Sequence, residues 1–159
     1  MNGTRGTLCP VTDILIATDT ASVFDDLRAV VDDAQSTVRW IRAGVDVRAS
    51  LEQKPADLAI VDMQIGSMGG VAVAIDIRLE VDAGRLQAVP VLLLLDRRPD
   101  VFLARRSGVE GWLVKPIDPL RVRRAVRAML AGDLWPDATY APDPIAVPFG
   151  SDSIDASGK

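Results

Sequence analysis

Five short runs of the chain are almost wholly apolar, and the segments between them place apolar residues three or four positions apart. Apolar runs without polar alternation are typical of strands buried on both faces of a sheet. The predicted strands are residues 13–18, 37–41, 57–61, 89–95 and 111–114. The predicted helices are residues 23–31, 45–53, 70–81, 99–107 and 118–131. This alternation predicts an α/β fold in which helices cover both faces of a parallel sheet.

The distribution of prolines and aromatic residues divides the chain into three parts. Residues 1–12 precede the first predicted strand and are expected to form a flexible segment, whereas residues 13–132 contain all the predicted elements. Residues 133–159 contain four of the ten prolines and three of the seven aromatic residues. Because proline disfavours helix, we expect this last part to be an extended tail, too short for a second domain.

The composition limits the class of protein further. A chain of 159 residues with 48% hydrophobic residues is long enough for one domain with a sizeable core. The single cysteine, Cys9, rules out a disulfide framework. The sequence contains neither a signal-peptide pattern nor an apolar stretch of about 18 residues, the length a membrane helix needs. We therefore expect a cytoplasmic protein without direct membrane insertion.

The charge is unevenly distributed along the chain. Residues 1–96 contain 14 acidic and 8 basic residues, residues 97–132 contain 3 and 9, and residues 133–159 contain 5 and 1. The overall charge of −4 therefore hides a basic segment of charge +6 between two acidic parts. Its arginines are Arg97, Arg98, Arg105, Arg106, Arg121, Arg123, Arg124 and Arg127. Such a segment is either a solvated helix face or a surface that attracts acidic partners.

Polar residues follow four of the predicted strands. They are Thr18-Asp19, Asp62, Asp96 (after Leu95) and Lys115. In an open parallel sheet, sites form outside the carboxyl ends of the strands, where the strand order reverses. If the first and third strands are neighbours, Asp19 and Asp62 face each other there, and two adjacent carboxylates call for a cation such as Mg²⁺. The alternative is that these acidic residues are solvated and cap helices. That interpretation accounts for each residue separately, but not for their occurrence together at the ends of several strands.

Four stretches of the chain carry a family resemblance. They are ILIATD (14–19), PADLAIVDMQIGSMGG (55–70), VPVLLLLD (89–96) and GVEGWLVKPIDPL (108–120). With them the chain resembles the receiver domain of bacterial two-component response regulators, over residues 13–131. The resemblance implies a flavodoxin-like, doubly wound sheet of five parallel strands in the order 2-1-3-4-5.

The resemblance also implies roles for individual residues. Asp62 would be the phosphoacceptor, and Asp19, Asp62 and the main chain of Gln64 would bind Mg²⁺. Lys115 would contact the phosphoryl group, through a Lys115-Pro116 peptide bond that is expected to be cis. Trp112, three residues before Lys115, matches the aromatic switch position of the family.

The chain departs from the family pattern at four positions. Thr18 stands where a second acid is usual, and Leu95 stands where a threonine or serine donates to the phosphoryl group. Gly66 and Gly69 replace the usual proline and aspartate of the loop after Asp62. A hydrogen bond to a charged group is worth about 1.5–3 kcal/mol, whereas reversing a 1:99 population takes about 5.5 kcal/mol. Loss of the hydroxyl therefore predicts that phosphorylation-driven switching between Leu95 and Trp112 is weakened or lost.

These observations predict an atypical, stand-alone receiver that acts as a regulatory protein-interaction module or accessory subunit. Partners are expected on the face formed by the fourth helix, fifth strand and fifth helix, and on the tail. The expected partner-binding residues are Arg105, Arg121, Arg124, Trp135, Tyr140 and Phe149. We expect the tail to lie extended on a neighbouring subunit in preference to its own basic face. At the level of resemblance, a respiratory NADH dehydrogenase complex and a histidine kinase are candidate partners, the former placing the protein on the cytoplasmic side of a membrane complex.

Other functions fit the sequence less well. A phospho-accepting single-domain regulator of a His-Asp phosphorelay is the main alternative. An aspartyl phosphatase needs a second acid two residues after its nucleophile, where this chain has Gln64. A flavin-binding protein would have a phosphate loop at residues 18–22, which contain no glycine. The 27 residues after Gly132 cannot hold a DNA-binding domain. We therefore expect neither an enzyme nor a nucleic-acid-binding protein.

Overall fold

The five predicted strands form one parallel sheet in the computed structural model, which describes residues 11–137. The strands are β1 (Thr12–Ala17), β2 (Ser36–Ile41), β3 (Leu58–Asp62), β4 (Val91–Leu95) and β5 (Gly111–Val114). Their order is β2-β1-β3-β4-β5, and all neighbouring pairs are parallel. The predicted fold class and strand order are confirmed, so the carboxyl ends of β1 and β3 lie side by side where the strand order reverses.

Within the described residues, five α-helices connect and follow the strands. They are α1 (Ala21–Val31), α2 (Val47–Gln53), α3 (Gly70–Asp82), α4 (Val101–Ser107) and α5 (Pro119–Leu130). Short 3₁₀ turns at Gly44–Asp46 and Arg98–Asp100 precede α2 and α4, so the predicted starts at 45 and 99 fall in these turns. Asp118 caps α5 by accepting from the main-chain N–H groups of Leu120 and Arg121. Gly108 ends α4 with φ of 70°, a conformation that glycine adopts without steric cost.

The apolar side chains of the sheet pack into two layers. Successive strand residues point to opposite faces, so Leu15 and Ile16 of β1 lie in different core clusters. One cluster packs against α2, α3 and α4, and the other packs against α1 and α5. All residues of β3 and β4 are buried. The sites for polar chemistry are thereby confined to the ends of these strands.

The aromatic residues behave differently from the prediction at one position. Their apolar side chains predict that Phe24, Trp40 and Phe102 lie in the core. Phe24 is buried and stacks on Trp40, with ring centroids 4.3 Å apart. Phe102, however, is 61% exposed, because the short helix α4 buries Val101 and Ala104 and turns Phe102 outward. The expectation for Phe102 was wrong.

The start of the tail attaches to the outer edge of β5. The main-chain N–H of Trp135 donates to the carbonyl of Glu110 (2.9 Å), and that of Trp112 donates to the carbonyl of Trp135 (3.1 Å). Trp135 thus forms a parallel bridge opposite Gly111. A Cβ atom on Gly111 would lie 3.1 Å from the Cβ of Trp135 and 2.8 Å from the sulfur of Met129. Glycine therefore permits the close approach of this segment.

Within residues 11–137, no helix is both long and apolar enough to span a membrane.

Candidate functional site

Asp62 lies at the end of β3 and is only 2% exposed. Its Oδ2 atom accepts a hydrogen bond from the hydroxyl of Thr18 at 3.0 Å. Its Oδ1 atom accepts from the ammonium group of Lys115 at 2.8 Å and from the main-chain N–H of Gln64 at 3.2 Å. A buried carboxylate is tolerated when it is paired and hydrogen-bonded in this way. Both oxygens of Asp62 therefore already have partners in the folded chain.

Thr18 has a structural role that was not predicted from the sequence. There it was interpreted only as the replacement of a second acidic residue. It is fully buried. Besides donating to Asp62, its hydroxyl accepts from the main-chain N–H of Thr20 at 3.2 Å. Its carbonyl accepts from the indole of Trp40 at 2.8 Å. Thr18 therefore supplies a neutral donor where an acid would add a second negative charge next to Asp62.

Asp19 is exposed at the same edge of the sheet and contacts the loop after β3. Its Oδ2 atom accepts from the main-chain N–H of Gly66 at 3.1 Å, and its Oδ1 atom accepts from the hydroxyl of Thr20 at 3.1 Å. Proline at position 66 would have no N–H to donate. In addition, a Cβ atom on Gly66 would lie 3.1 Å from the Oδ2 atom of Asp19. The glycine that departs from the family pattern thus allows the loop to bind Asp19.

Lys115 follows β5 and contacts two carboxylates. Its ammonium group lies 2.8 Å from Asp62 and 3.1 Å from Asp96. Burial by itself lowers the pKa of Lys115, but the hydrogen bonds to Asp62 and Asp96 outweigh it and raise the pKa above its ordinary value of 10.5. The Lys115-Pro116 peptide bond is cis, as predicted. Asp96 was predicted from the sequence to follow β4, without a role of its own.

The oxygen-bearing side chains at this edge of the sheet are of the type that binds magnesium. Receiver domains typically bind Mg²⁺ at an acidic pocket. Here the oxygen donors at the edge of the sheet are the carboxylates of Asp19 and Asp62, and Mg²⁺ commonly uses one or two carboxylates together with waters. Gln64 lies beside Asp62 through its main-chain N–H, which donates to the carboxylate at 3.2 Å. Residues 11–137 contain no cluster of three or more acidic, histidine or cysteine side chains arranged to hold a metal. The fit to Mg²⁺ rests on the chemistry of two carboxylates, Asp19 and Asp62, which suits an ion that keeps several of its waters.

The two predicted switch positions lie in the same core layer. Leu95 is fully buried and has no hydroxyl to donate. Trp112 is 7% exposed, and its indole N–H is buried without a hydrogen-bond partner in the described part of the chain. The guanidinium of Arg105 lies 5.8 Å from the centroid of its ring, within the range of a cation–π contact. Trp112 is thus already packed inward.

The predicted partner-binding residues divide into two groups. Arg105 and Arg124 are exposed on α4 and α5. Arg121, by contrast, forms an ion pair with the buried carboxylate of Asp137, and Trp135 packs on the edge of β5. Through residue 137 the tail therefore contacts its own domain, which differs from the expected placement on a neighbouring subunit. The physical reason is the edge of β5, which offers main-chain groups to the first extended segment that follows α5. Tyr140 and Phe149 lie outside the described residues.

With this geometry in place, the comparison with known proteins identifies the class. A family model described as the response regulator receiver domain matches residues 14–127. The chain belongs to this family. Receiver domains are regulatory rather than enzymatic, and they interact with histidine kinases and other proteins.

Particular relatives agree with the assignment. The chain is 28% identical over 116 residues to the response regulator protein PmrA of Pseudomonas aeruginosa, covering 73% of this chain and 51% of PmrA. It is 28% identical over 119 residues to the DNA-binding response regulator MtrA of Mycobacterium tuberculosis, covering 74% of this chain and 50% of MtrA. The chain thus spans about half the length of these relatives. It is also 24% identical to the protein PilH of Pseudomonas aeruginosa, covering 75% of this chain and 98% of PilH.

Solved structures share the fold. The chemotaxis response regulator CheY4 of Vibrio cholerae superposes with a TM-score of 0.65 at 21% identity, covering 74% of this chain and 97% of CheY4. The receiver domain of a signal transduction histidine kinase from Syntrophus aciditrophicus gives a TM-score of 0.68 at 24% identity, covering 76% and 91% of the two chains. At these identities the likeness establishes the receiver fold alone.

Proposed function

We propose that this protein is an atypical receiver that regulates by docking on another protein, and that phosphorylation at Asp62 is only weakly coupled to its docking face. The observation that carries the proposal is the buried Leu95 at the end of β4, where no hydroxyl is available to follow a phosphoryl group. Trp112 is already packed inward in the same core layer. The element that would report phosphorylation therefore has little movement left to make.

In this proposal Asp62 is the phosphoacceptor and Lys115 is the cation that contacts the incoming group. The support is geometric: the 2.8 Å contact between Lys115 and Asp62 holds the ammonium group at the carboxylate oxygen. In this proposal Mg²⁺ would be held by Asp19, Asp62 and the carbonyl of Gln64. The ion would supply positive charge that offsets the negative charge of the phosphoryl oxygens. The contacts from Thr18 and from Gly66 to these carboxylates stabilise the pocket without requiring the ion.

The docking surface in this proposal is the exposed basic face of α4 and α5. Arg105 and Arg124 are exposed there, and Phe102 and Leu103 of α4 add apolar surface at 61% and 40% exposure. Exposed arginines beside apolar side chains favour an acidic protein partner. We also propose that the protein acts in the cytoplasm and that a histidine kinase is one of its partners. No contact among the described residues supports the respiratory NADH dehydrogenase complex that the resemblance implied as a partner, so the proposal does not include it.

The second candidate function is a phospho-accepting regulator with a full response to phosphorylation. It is favoured by one observation, the intact contact between Asp62 and Lys115.

Hydrogen exchange on the full chain separates these two functions. The protein is incubated with acetyl phosphate and Mg²⁺, the modified residue is identified by mass spectrometry, and exchange is compared in α4 and β5 before and after modification. We expect modification at Asp62 with little change in these elements. The variant Leu95→Thr, which restores a hydroxyl, should show a larger change, and Asp62→Asn is the unmodified control. A large change in the unaltered protein would contradict weak coupling and support the second function.

A further inference from the structure

The contact between Lys115 and Asp96 is not required by the proposed function. Asp96 directly follows β4, and its side chain is 30% exposed. One carboxylate oxygen lies 3.1 Å from the ammonium group of Lys115. The other oxygen is buried and has no hydrogen-bond partner in the part of the chain that the structure describes. A buried carboxylate oxygen without a donor is unfavourable, so the ion pair with Lys115 must hold the side chain in place.

The main chain fixes the position of Asp96. The N–H of Lys115 donates to the carbonyl of Leu95 at 2.8 Å, which ties the ends of β4 and β5 together. On the other side of Asp96, the N–H of Arg97 donates to the buried side chain of Asp100 at 3.2 Å, which caps the turn at Arg98–Asp100. Asp96 is thus held between a strand and a capped turn.

We propose that Asp96 is a positioning residue that competes for Lys115 and so limits how readily the pocket accepts a tetrahedral anion on Asp62. A lysine ammonium group has three N–H donors, and two of them already point at Asp62 and Asp96. An anion placed on Asp62 needs a donor from Lys115, and it also experiences the negative charge of Asp96 nearby. Asp96 therefore acts against the anion both by occupying the lysine and by repulsion.

This inference rests on the proposed role of Asp62 as phosphoacceptor. In the step under test, an oxygen of Asp62 forms a bond to the phosphorus of acetyl phosphate. The bond between phosphorus and the acetate oxygen breaks, and acetate leaves. The contribution of Asp96 is confined to the affinity for the anion and to the charge around it.

The test measures the rate of this step in the full-length protein. The initial rate of phosphoryl incorporation at Asp62 is followed by mass spectrometry over a range of acetyl phosphate concentrations, at fixed Mg²⁺. The variant Asp96→Asn keeps the shape of the side chain and removes its charge. We expect its rate divided by half-saturation concentration to rise about tenfold, equivalent to about 1.4 kcal/mol. Most of this change should lie in the half-saturation concentration, because Asp96 acts on anion binding.

Three controls distinguish this role from a general effect of charge or folding. Asp25→Asn removes the same formal charge from the exposed side of α1 and should change the rate less than twofold. Asp96→Glu restores a carboxylate and should return the rate toward that of the unaltered protein. Asp96→Ser is the second test variant if Asp96→Asn unfolds at a lower temperature. Equal rates for the unaltered protein and a folded Asp96→Asn or Asp96→Ser variant would overturn the inference while leaving the phosphoacceptor role intact.

Failure of the phosphoacceptor assignment gives a different result. If label appears equally in Asp62→Asn, the acceptor is another residue, and both the inference and that assignment are wrong. If neither the unaltered protein nor Asp96→Asn takes up label, both are likewise overturned.

Discussion

Replacing Thr18 by valine tests whether its hydroxyl stabilises the buried carboxylate of Asp62. Valine has nearly the same shape as threonine, but it cannot donate to the Oδ2 atom of Asp62, which the hydroxyl contacts at 3.0 Å. Asp62 is 2% exposed, so water cannot easily replace the lost donor. The change also removes the acceptor for the N–H of Thr20.

The magnitude follows from these contacts. Removing one partner of a buried hydrogen bond costs about 1–3 kcal/mol, and more when the remaining group is charged. Lys115 and the N–H of Gln64 still satisfy the Oδ1 atom, so the loss at Asp62 is confined to one oxygen. We expect Thr18→Val to lower the free energy of unfolding by about 2 kcal/mol. For a chain of this size that corresponds to a fall of about 4–8 °C in Tm.

Urea unfolding and a double-mutant cycle provide the assay. The free energy of unfolding is measured for Thr18→Val, for Asp62→Asn and for the double variant, and the coupling between the two positions is calculated. Thr20→Val is the matched control, because its hydroxyl contacts the exposed Asp19, and it should change stability by less than about 0.5 kcal/mol. A loss below about 0.5 kcal/mol for Thr18→Val, or no coupling to Asp62, would refute this account of the pocket.

Three further predictions concern the edge strand, the lysine and the phosphorylation response. Gly111→Val should displace Trp135, because the new Cβ would lie 3.1 Å from both the Cβ and the carbonyl oxygen of Trp135; a red shift in tryptophan fluorescence would report it, and an unchanged spectrum would contradict it. The pKa of Lys115 is raised on folding, so its contribution to stability is complete below the unfolded value of about 10.5 and is lost as the pH rises through the folded pKa. Urea unfolding between pH 9 and 12 should therefore show a smaller alkaline loss of stability in Lys115→Met, and an equal loss would exclude this contribution. Asp62→Asn should leave affinity for a docking partner within about threefold, under about 0.7 kcal/mol, and a tenfold change by calorimetry would contradict weak coupling.

Much of the fold follows from the sequence, because the spacing of apolar residues reflects the period of each helix or strand and the face that it buries. The all-apolar runs at β3 and β4 predict strands buried on both faces, and every residue of both strands is buried. The start of α5 was also predictable, since Asp118 caps the helix and Pro119 occupies its first position. The order of the strands came from the family resemblance, because periodicity alone does not define which strands are neighbours.

The exposed Phe102 and the contact of Trp135 with β5 could not be predicted in this way. Both residues are apolar enough for a core or for an interface. Whether a helix of seven residues turns Phe102 inward depends on how it packs against its neighbours. The position of Trp135 depends on a bridge to Gly111, 24 residues earlier in the chain, where the absence of a side chain leaves room.

The sequence by itself determined which chemical groups arrive at the carboxyl edge of the sheet. Asp62 and Lys115 stand directly after apolar runs, and parallel strands bring such positions to one edge. Only the tertiary structure decided which of these groups touch. Thr18 donates to Asp62 across 44 positions of the chain, and Asp96 contacts Lys115 across 19. Hydrogen bonds form within a few tenths of an ångström and a limited range of angles, so these pairs depend on strand register and side-chain orientation, which no local pattern of residues specifies.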